Sequence, residues 1–412
     1  MYDYNYCVYL SNFPYIDNSG MIFPCCKNRQ LRLPYNIKDM KLIDMFNSPE
    51  FIQMRETMAT GNMPLGCEPC YVPESKGQLD SFRVRNLRGL RFRSGDKKEL
   101  LTMPYADHKI RGLDLRLGST CNLTCIMCYP SDSNSWHKIF PDYARQVSQE
   151  TENAINITMD RYQPKKLNWA EYEQSWENIF CSIDNDLRKI YLAGGEPFYI
   201  RGFEDYLVEL YNRSPQAYIE INTNATRKLP EQYVKKLKGA DIGIRISIDG
   251  SFGVDEYIRQ GTEWDQKVEV MDQYANDLSI SSFDISLSSL NIHDLPNTLR
   301  WICERYSTVL ESPKTKIMLR PIVNRKGLNI ESLPKYIRQN ILEDLEAFLS
   351  EFTNIRSTLT NIDDVVNKLG QEYKNETQET QRIIDFWDTK SNKTYEEINP
   401  ELYRWVNENS SN

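Results

Sequence analysis

Three cysteines fall within eight positions of the stretch STCNLTCIMCYP: Cys121, Cys125 and Cys128, spaced C-x3-C-x2-C. Thiolates at such spacing are ligands for zinc or for iron and sulfide. A structural zinc ion asks for a fourth ligand, and the nearest is His137, nine residues beyond Cys128. The second ligand pair usual for such a site is missing nearby. Three thiolates can instead hold three irons of a four-iron cluster and leave the fourth iron open to a small chelating molecule. That is a site for chemistry.

A second group of cysteines lies earlier. Cys7, Cys25, Cys26, Cys67 and Cys70 all precede residue 75, and Cys67 and Cys70 form a C-x2-C pair. Four thiols from this group suit zinc or an iron-sulfur cluster equally on donor chemistry. Cys26, adjacent to Cys25, is either the alternative ligand or a buried thiol, and the spacing favours Cys25. The remaining two, Cys181 and Cys303, fall in helical patterns and are expected to be buried structural thiols.

The elements that must position these residues show in the periodicity. Short apolar runs at 112–118, 188–195, 217–224, 242–250, 282–290 and 316–323 alternate with longer helical stretches. Six strands separated by helices predict parallel βαβ units, either doubly wound or as a full or partial barrel. In both architectures function gathers at the C-terminal ends of strands, and the three-cysteine run directly follows the first. Before it, Met40, Ile43 and Phe46, then Ile52, Met54 and Met58, predict two short core helices around NSPE. Trp169, Tyr172, Trp176, Ile179, Phe180 and Ile183 predict one packed helix inside the long segment 129–187. Leu333, Ile337, Ile341, Leu345 and Phe348 mark another apolar stripe, and residues 353–412 read as polar, helical in pieces and frayed at NENSSN.

Composition bounds the rest. With 412 residues and 40% hydrophobic residues the chain can build one large domain with appendages or two to three domains. No apolar run approaches a membrane span and the first twenty residues do not resemble a signal peptide, so a cytoplasmic location is expected, with the cysteines as thiols or ligands. The net charge is −8, of which residues 331–412 carry −7, from 9 Lys and Arg against 16 Asp and Glu. This acidic tail argues against nonspecific nucleic-acid binding. Arg83, Arg85, Arg88, Arg91 and Arg93 form one basic run, read as a solvated linker face in preference to an RNA contact.

The run LRLGSTCNLTCIMC resembles the signature of the radical S-adenosylmethionine enzymes, whose cysteine loop follows the first strand of a partial (β/α)6 barrel. The resemblance implies a [4Fe-4S] cluster on Cys121, Cys125 and Cys128, with the cofactor's methionyl group chelating the open iron. YLAGGEP closes the second strand with Gly194, Gly195, Glu196 and Pro197, similar to the family's motif for the methionyl amine. Thr223 and Asn224 end the third strand. Ser247 and Asp249 end the fourth, at positions that resemble cofactor ribose and carboxylate contacts. Arg259, in DEYIRQGTEW, is the implied partner of the cofactor carboxylate, and Asn291 follows the fifth strand where relatives often carry asparagine. Met127 stands where relatives commonly have an aromatic residue packed on adenine; a thioether can make the same contact.

Residues 1–80 resemble the twitch form of the SPASM domain, implying an auxiliary [4Fe-4S] cluster on Cys7, Cys25, Cys67 and Cys70. In most relatives that domain follows the barrel; here it precedes it. The implied order is a twitch-like domain at 1–80, a basic linker at 81–109, the partial barrel at 110–325 and an acidic helical extension at 326–412. The implied activity is radical chemistry on a substrate, with a peptide or protein as the leading expectation and a small alcohol or sugar as the other. A noncatalytic cluster scaffold or redox sensor is the competing class. A one-electron reductant such as flavodoxin or ferredoxin is the implied partner, and no residue in the pattern marks a general base.

Overall fold

The computed structural model describes residues 5–28, 30–78, 81–89, 108–147, 167–322 and 325–410. Its strands are β1 (Tyr15–Ile16), β2 (Ile22–Phe23), β3 (Gly112–Arg116), β4 (Thr124–Cys125), β5 (Lys189–Ala193), β6 (Tyr218–Thr223), β7 (Ile242–Ser247), β8 (Arg259–Gln260), β9 (Ser279–Leu287), β10 (Lys316–Pro321) and β11 (Leu359–Thr360). All six strands read from the sequence are present, alternating with helices, so the fold is mixed α/β as expected.

The chain divides into two compact units: residues 1–120, 166–221 and 229–242 in the first, and 121–165, 222–228 and 243–412 in the second. The first unit runs β2-β1-β3-β5-β6 in hydrogen-bonded order, parallel except for the β1/β2 hairpin. Period-2 alternation builds it. Leu113, Leu115, Ile190, Leu192, Ile219 and Ile221 are buried from one face. The intervening Asp114, Tyr191 and Glu220 stand in register on the other.

The N-terminal part of this unit is helical, with the expected pair at Leu42–Phe46 and Pro49–Ala59. Their junction is held by Arg55, whose buried guanidinium donates to the Leu10 carbonyl at 2.9 Å and to Asn47 Oδ1 at 3.0 Å. Among the described members of the basic run, Arg85 is exposed as expected and Arg83 departs from the solvated reading. Arg83 is buried, paired with Glu74, and lies 4.4 Å above the Tyr71 ring, because the helix Phe82–Gly89 turns it inward. The Arg88 side chain, Arg91 and Arg93 lie outside the described residues.

The expected helix over 169–183 is split. Trp169–Glu171 form a 3-10 turn, Tyr172 is extended, and the α-helix covers Glu173–Phe180. The Trp169 indole N–H donates to the Arg116 carbonyl at 2.8 Å and the Asp17 carbonyl at 3.1 Å, which takes its residue out of helical phase. Cys181 consequently lies past the helix end and is exposed, against the expectation of burial, whereas Cys303 is buried as expected.

The second unit runs β7-β9-β10-β11, all parallel, and adds the short antiparallel β4/β8 ribbon. Its core is Ile244, Ile246, Phe283, Ile285, Leu287, Ile317 and Leu319. The apolar stripe Ile337, Ile341, Leu345 and Phe348 is buried on the helix Lys335–Glu351, with Leu333 buried just before it.

The acidic C-terminal region is more ordered and more apolar than its composition suggests. Helices cover Ile362–Leu369, Thr377–Asp388, Tyr395–Ile398 and Pro400–Asn409, the last continuing into the stretch expected to fray. They bury Ile384, Phe386, Trp387, Tyr395, Leu402 and Val406. Among the described residues no helix is long and apolar enough to cross a membrane.

Candidate functional site

The cysteine loop begins the second unit, and its backbone is held on almost every side. The Cys121 N–H donates to Asn134 Oδ1 at 3.0 Å, and the Cys121 carbonyl accepts from Ser135 Oγ at 2.8 Å. Ser133 Oγ donates to the Leu123 carbonyl at 2.7 Å, and the Trp136 indole N–H to the Cys125 carbonyl at 3.0 Å. Arg325 donates to the Ile126 carbonyl at 2.9 Å and stacks 4.7 Å above Tyr129. The β4/β8 ribbon sets Cys125 opposite Arg259. A loop so tied presents its thiols without having to order itself first, which lowers the entropic cost of taking up a metal group.

The sulfurs have their own polar surroundings. Cys121 Sγ accepts the Leu123 N–H at 3.5 Å and lies 3.9 Å from Asn224 Nδ2. Arg259 Nη1 is 3.8 Å from Cys125 Sγ. The Cys128 thiol bonds to Cys125, and that bond, against burial and with help from Arg259, holds Cys125 below the usual thiol value. The same bond followed by burial pushes Cys128 up. The resulting environment favours a thiolate at Cys125, the form that binds metal.

The strand-end residues of this unit are linked to the loop in series. Asn224 bonds to Asn122 Oδ1 at 2.9 Å, and Asn122 in turn donates to Thr226 Oγ1 at 3.0 Å. Arg259 Nε lies 2.6 Å from Asp249 Oδ2, yet both atoms lack an aligned hydrogen bond among the described residues, so this is an ion contact with unused directional capacity. Burial is the largest influence on each. It raises Asp249 and works against Arg259, which Asp249, Cys125 and Asp255 nevertheless hold above its ordinary value. Asn291 donates to the Asp249 carbonyl at 2.6 Å and the Ser286 carbonyl at 2.8 Å, while its own oxygen accepts from Ser288 N and Oγ. Its amide is thereby fully engaged as a clamp behind Asp249. Ser247 is within 3.5 Å of Asn222 Nδ2, Thr223 Oγ1 accepts the Ala225 N–H, and Met127 is half-buried.

In the first unit, Gly194 and Gly195 adopt φ of +92° and +51°. A Cβ on Gly195 would stand 2.2 Å from the Thr120 carbonyl oxygen. That carbonyl accepts the Glu196 N–H at 2.7 Å, and Thr120 is the residue joined to Cys121. Glu196 is buried and caps the turn Pro197–Tyr199 by accepting the Phe198 N–H. The glycine pair is therefore needed by the backbone here.

The N-terminal cysteines belong to this unit too. Burial raises Cys7, and pushes Cys25 up to about 12. Cys67 is raised by burial and then by Cys7, Cys25 and Cys70, so these four thiols are electrostatic neighbours. Cys26 acts instead on Tyr9 and Arg116, and meets the four through its neighbour Cys25. Among the described residues no three His, Cys, Asp or Glu side chains converge tightly enough for a single metal ion. His137, the nearest imidazole to the cysteine loop in sequence, has Nε2 3.0 Å from the Pro130 carbonyl.

Sequence reasoning overlooked the residues that hold the loop. Ser133, Asn134, Ser135 and Trp136 follow it directly and were legible as a cluster of hydrogen-bonding side chains; Arg325 and Trp387 were not. Trp387 packs on Trp136 at 5.2 Å, and Tyr143 packs on both Trp136 and Phe386, so the helix Thr377–Asp388 braces the indole that holds Cys125. Trp387→Ala should cost about 3–5 kcal/mol, seen in denaturant unfolding, and should lower iron uptake on reconstitution. A cavity of about 620 Å³ lined by His293, Tyr336, Pro400 and Trp405 contains none of the expected site residues.

Residues 115–302 match the model of the Radical SAM superfamily. Over 144 residues the chain is 24% identical to the GTP 3′,8-cyclase of Nautilia profundicola, covering 35% of this chain and 36% of that protein. Over 145 residues it is 29% identical to an uncharacterized protein of Methanocaldococcus jannaschii, covering 34% and 39%. The chain thus spans little more than a third of the length of these curated relatives. Among solved structures, native anSMEcpe with bound AdoMet aligns at 16% identity and a TM-score of 0.38, over 64% of this chain and 68% of that one. Streptococcus suis SuiB bound to S-adenosylmethionine aligns at 10% identity and a TM-score of 0.37, over 85% and 71%. The matched stretch, with its three cysteines after the first strand of a parallel β/α array, is similar to the radical SAM domain.

Proposed function

We propose that this protein is an enzyme that reductively cleaves S-adenosylmethionine and uses the radical so formed to take a hydrogen atom from a peptide or protein. The observation that carries the reading is the pinned loop of Cys121, Cys125 and Cys128, a donor set one ligand short, with Arg259 beside the middle sulfur. When bound, a [4Fe-4S] cluster and S-adenosylmethionine supply one-electron cleavage to methionine and a 5′-deoxyadenosyl radical.

The chain's own residues bind, orient and exclude water. Cys121, Cys125 and Cys128 would hold three irons. Glu196, buried at a turn whose two glycines permit close backbone approach, would receive the methionyl amine. Arg259, with directional capacity left at Nε, would meet the cofactor carboxylate, and Asp249 and Asn291 would keep its position. Thr223, Asn224, Ser247 and Met127 would line the nucleoside. Cys7, Cys25, Cys67 and Cys70 would hold an auxiliary cluster; their mutual electrostatic influence supports this set, with Cys25 as a member in place of Cys26.

A peptide or protein substrate is favoured by the resemblance of the N-terminal cysteine set to twitch domains, whose bearers include enzymes acting on peptides. A small alcohol or sugar is the other substrate class of such relatives. Flavodoxin or ferredoxin would deliver the electron.

The test is 5′-deoxyadenosine formation by anaerobically reconstituted, chemically reduced protein given S-adenosylmethionine. Production is the expected outcome. Iron-loaded protein that makes none, with or without cell-extract peptides, would favour a noncatalytic scaffold or redox sensor.

A further inference from the structure

Behind the cysteine loop lies an ionic network that the cysteine motif does not itself require. Asp249, Asp255, Arg259 and Lys267 are all buried, and Asp255 and Lys267 have no exposed surface at all. Lys267 Nζ is 2.6 Å from Asp255 Oδ2. The other oxygen, Asp255 Oδ1, accepts the Asp249 N–H at 2.8 Å and lies 4.0 Å from Arg259 Nε. The same Arg259 Nε is 2.6 Å from Asp249 Oδ2, and Arg259 Nη1 is 3.8 Å from Cys125 Sγ.

A fully buried lysine needs a reason. Lysine is almost never buried without a partner, and an ion pair removed from water gains little stability over apolar residues of the same size. The helix Trp264–Asp277 buries Val270, Met271 and Tyr274 beside it, so a methionine at 267 would fill the same space. The ammonium therefore answers a charge. Arg259 faces two carboxylates and a sulfur that is anionic when it binds metal, and one guanidinium cannot balance all three. The Lys267 ammonium, 2.6 Å from Asp255 Oδ2, cancels the second carboxylate.

We propose that Lys267 is a positioning residue: by neutralising Asp255 it leaves Arg259 shared between Asp249 and Cys125 Sγ alone, and so raises the reduction potential of the cluster bound there. The inference rests on the cluster reading above. Positive charge and N–H donors near a cluster sulfur favour the reduced state. With Asp255 left unpaired, Arg259 is drawn toward it and the sulfur loses both.

The experiment is an EPR-monitored redox titration of the reconstituted full chain, following the signal that changes on adding S-adenosylmethionine. Lys267→Met is expected to keep its iron and that signal but to show a lower midpoint potential than wild type. Lys267→Gln, which can still donate a hydrogen bond to Asp255, is the second variant should Lys267→Met fail to fold, and is expected to shift the same way. Removing both partners, in Asp255→Asn with Lys267→Met, should return the midpoint toward wild type. An unchanged midpoint in an iron-loaded single variant, or a double variant as low as the single, would overturn the proposal. Wild-type protein with no such signal would instead overturn the cluster reading beneath it.

Discussion

Cys125→Ala should abolish 5′-deoxyadenosine formation and remove the iron of one cluster while leaving the N-terminal set loaded. Cys125 is the buried member of the three and stands where the β4/β8 ribbon, the Trp136 indole and Arg259 meet. With two thiolates left, the cluster loses a third of its protein ligands, and the Arg259 charge faces a methyl group in place of a sulfur. The loss of activity should be complete within detection, since no other cysteine lies in the loop to replace it. The fold should survive, because trimming one sulfur from a small buried side chain costs about 1 kcal/mol. Iron and sulfide per chain, measured beside product formation, decide the matter. A variant that still makes 5′-deoxyadenosine would mean that the catalytic cluster is held elsewhere.

Gly195→Ala is expected to weaken S-adenosylmethionine binding more than tenfold. At φ +51° the added Cβ would stand 2.2 Å from the Thr120 carbonyl oxygen, a backbone atom that cannot rotate away. The left-handed conformation adds about 1–2 kcal/mol for a residue with a Cβ. Relief has to come from moving Thr120 or the Gly195–Glu196 peptide, which breaks the 2.7 Å bond between the Glu196 N–H and the Thr120 carbonyl. Either shift displaces a group the proposed site needs: the Glu196 carboxylate or the residue before Cys121. Gly77→Ala is the control, with φ +81° and nothing within 4 Å of the new Cβ. It should lose only the conformational contribution and bind the cofactor normally. Equilibrium binding on iron-loaded protein separates the two, and equal affinities for both variants would remove Gly195 from the argument.

Much of this protein is decided by short-range pattern. Period-2 alternation marks the strands and i, i+4 stripes mark the helix Lys335–Glu351, because each residue's burial there follows from its own element's geometry. The cysteine spacing and the glycine pair are equally local, and they identify a loop and a turn before any partner is known. Local pattern fails where a distant group intervenes. The Trp169 helix breaks because its indole is tied to the carbonyls of Asp17 and Arg116, and Arg83 is drawn inside by Glu74.

The tail shows the same division on a larger scale. Its composition reads as polar and helical in pieces, yet Trp387 packs on Trp136; just before the tail, Arg325 reaches the Ile126 carbonyl across 199 residues of chain. Lys267 in sequence is one more lysine on an amphipathic helix; only its fully buried place against Asp255 makes it part of the charge balance at Cys125. The sequence by itself determined which candidate ligands are present, on which elements, and at which strand ends. The tertiary structure decided what braces those ligands and which charges they feel, because both depend on burial and on contacts between segments remote in the chain, which no local periodicity encodes.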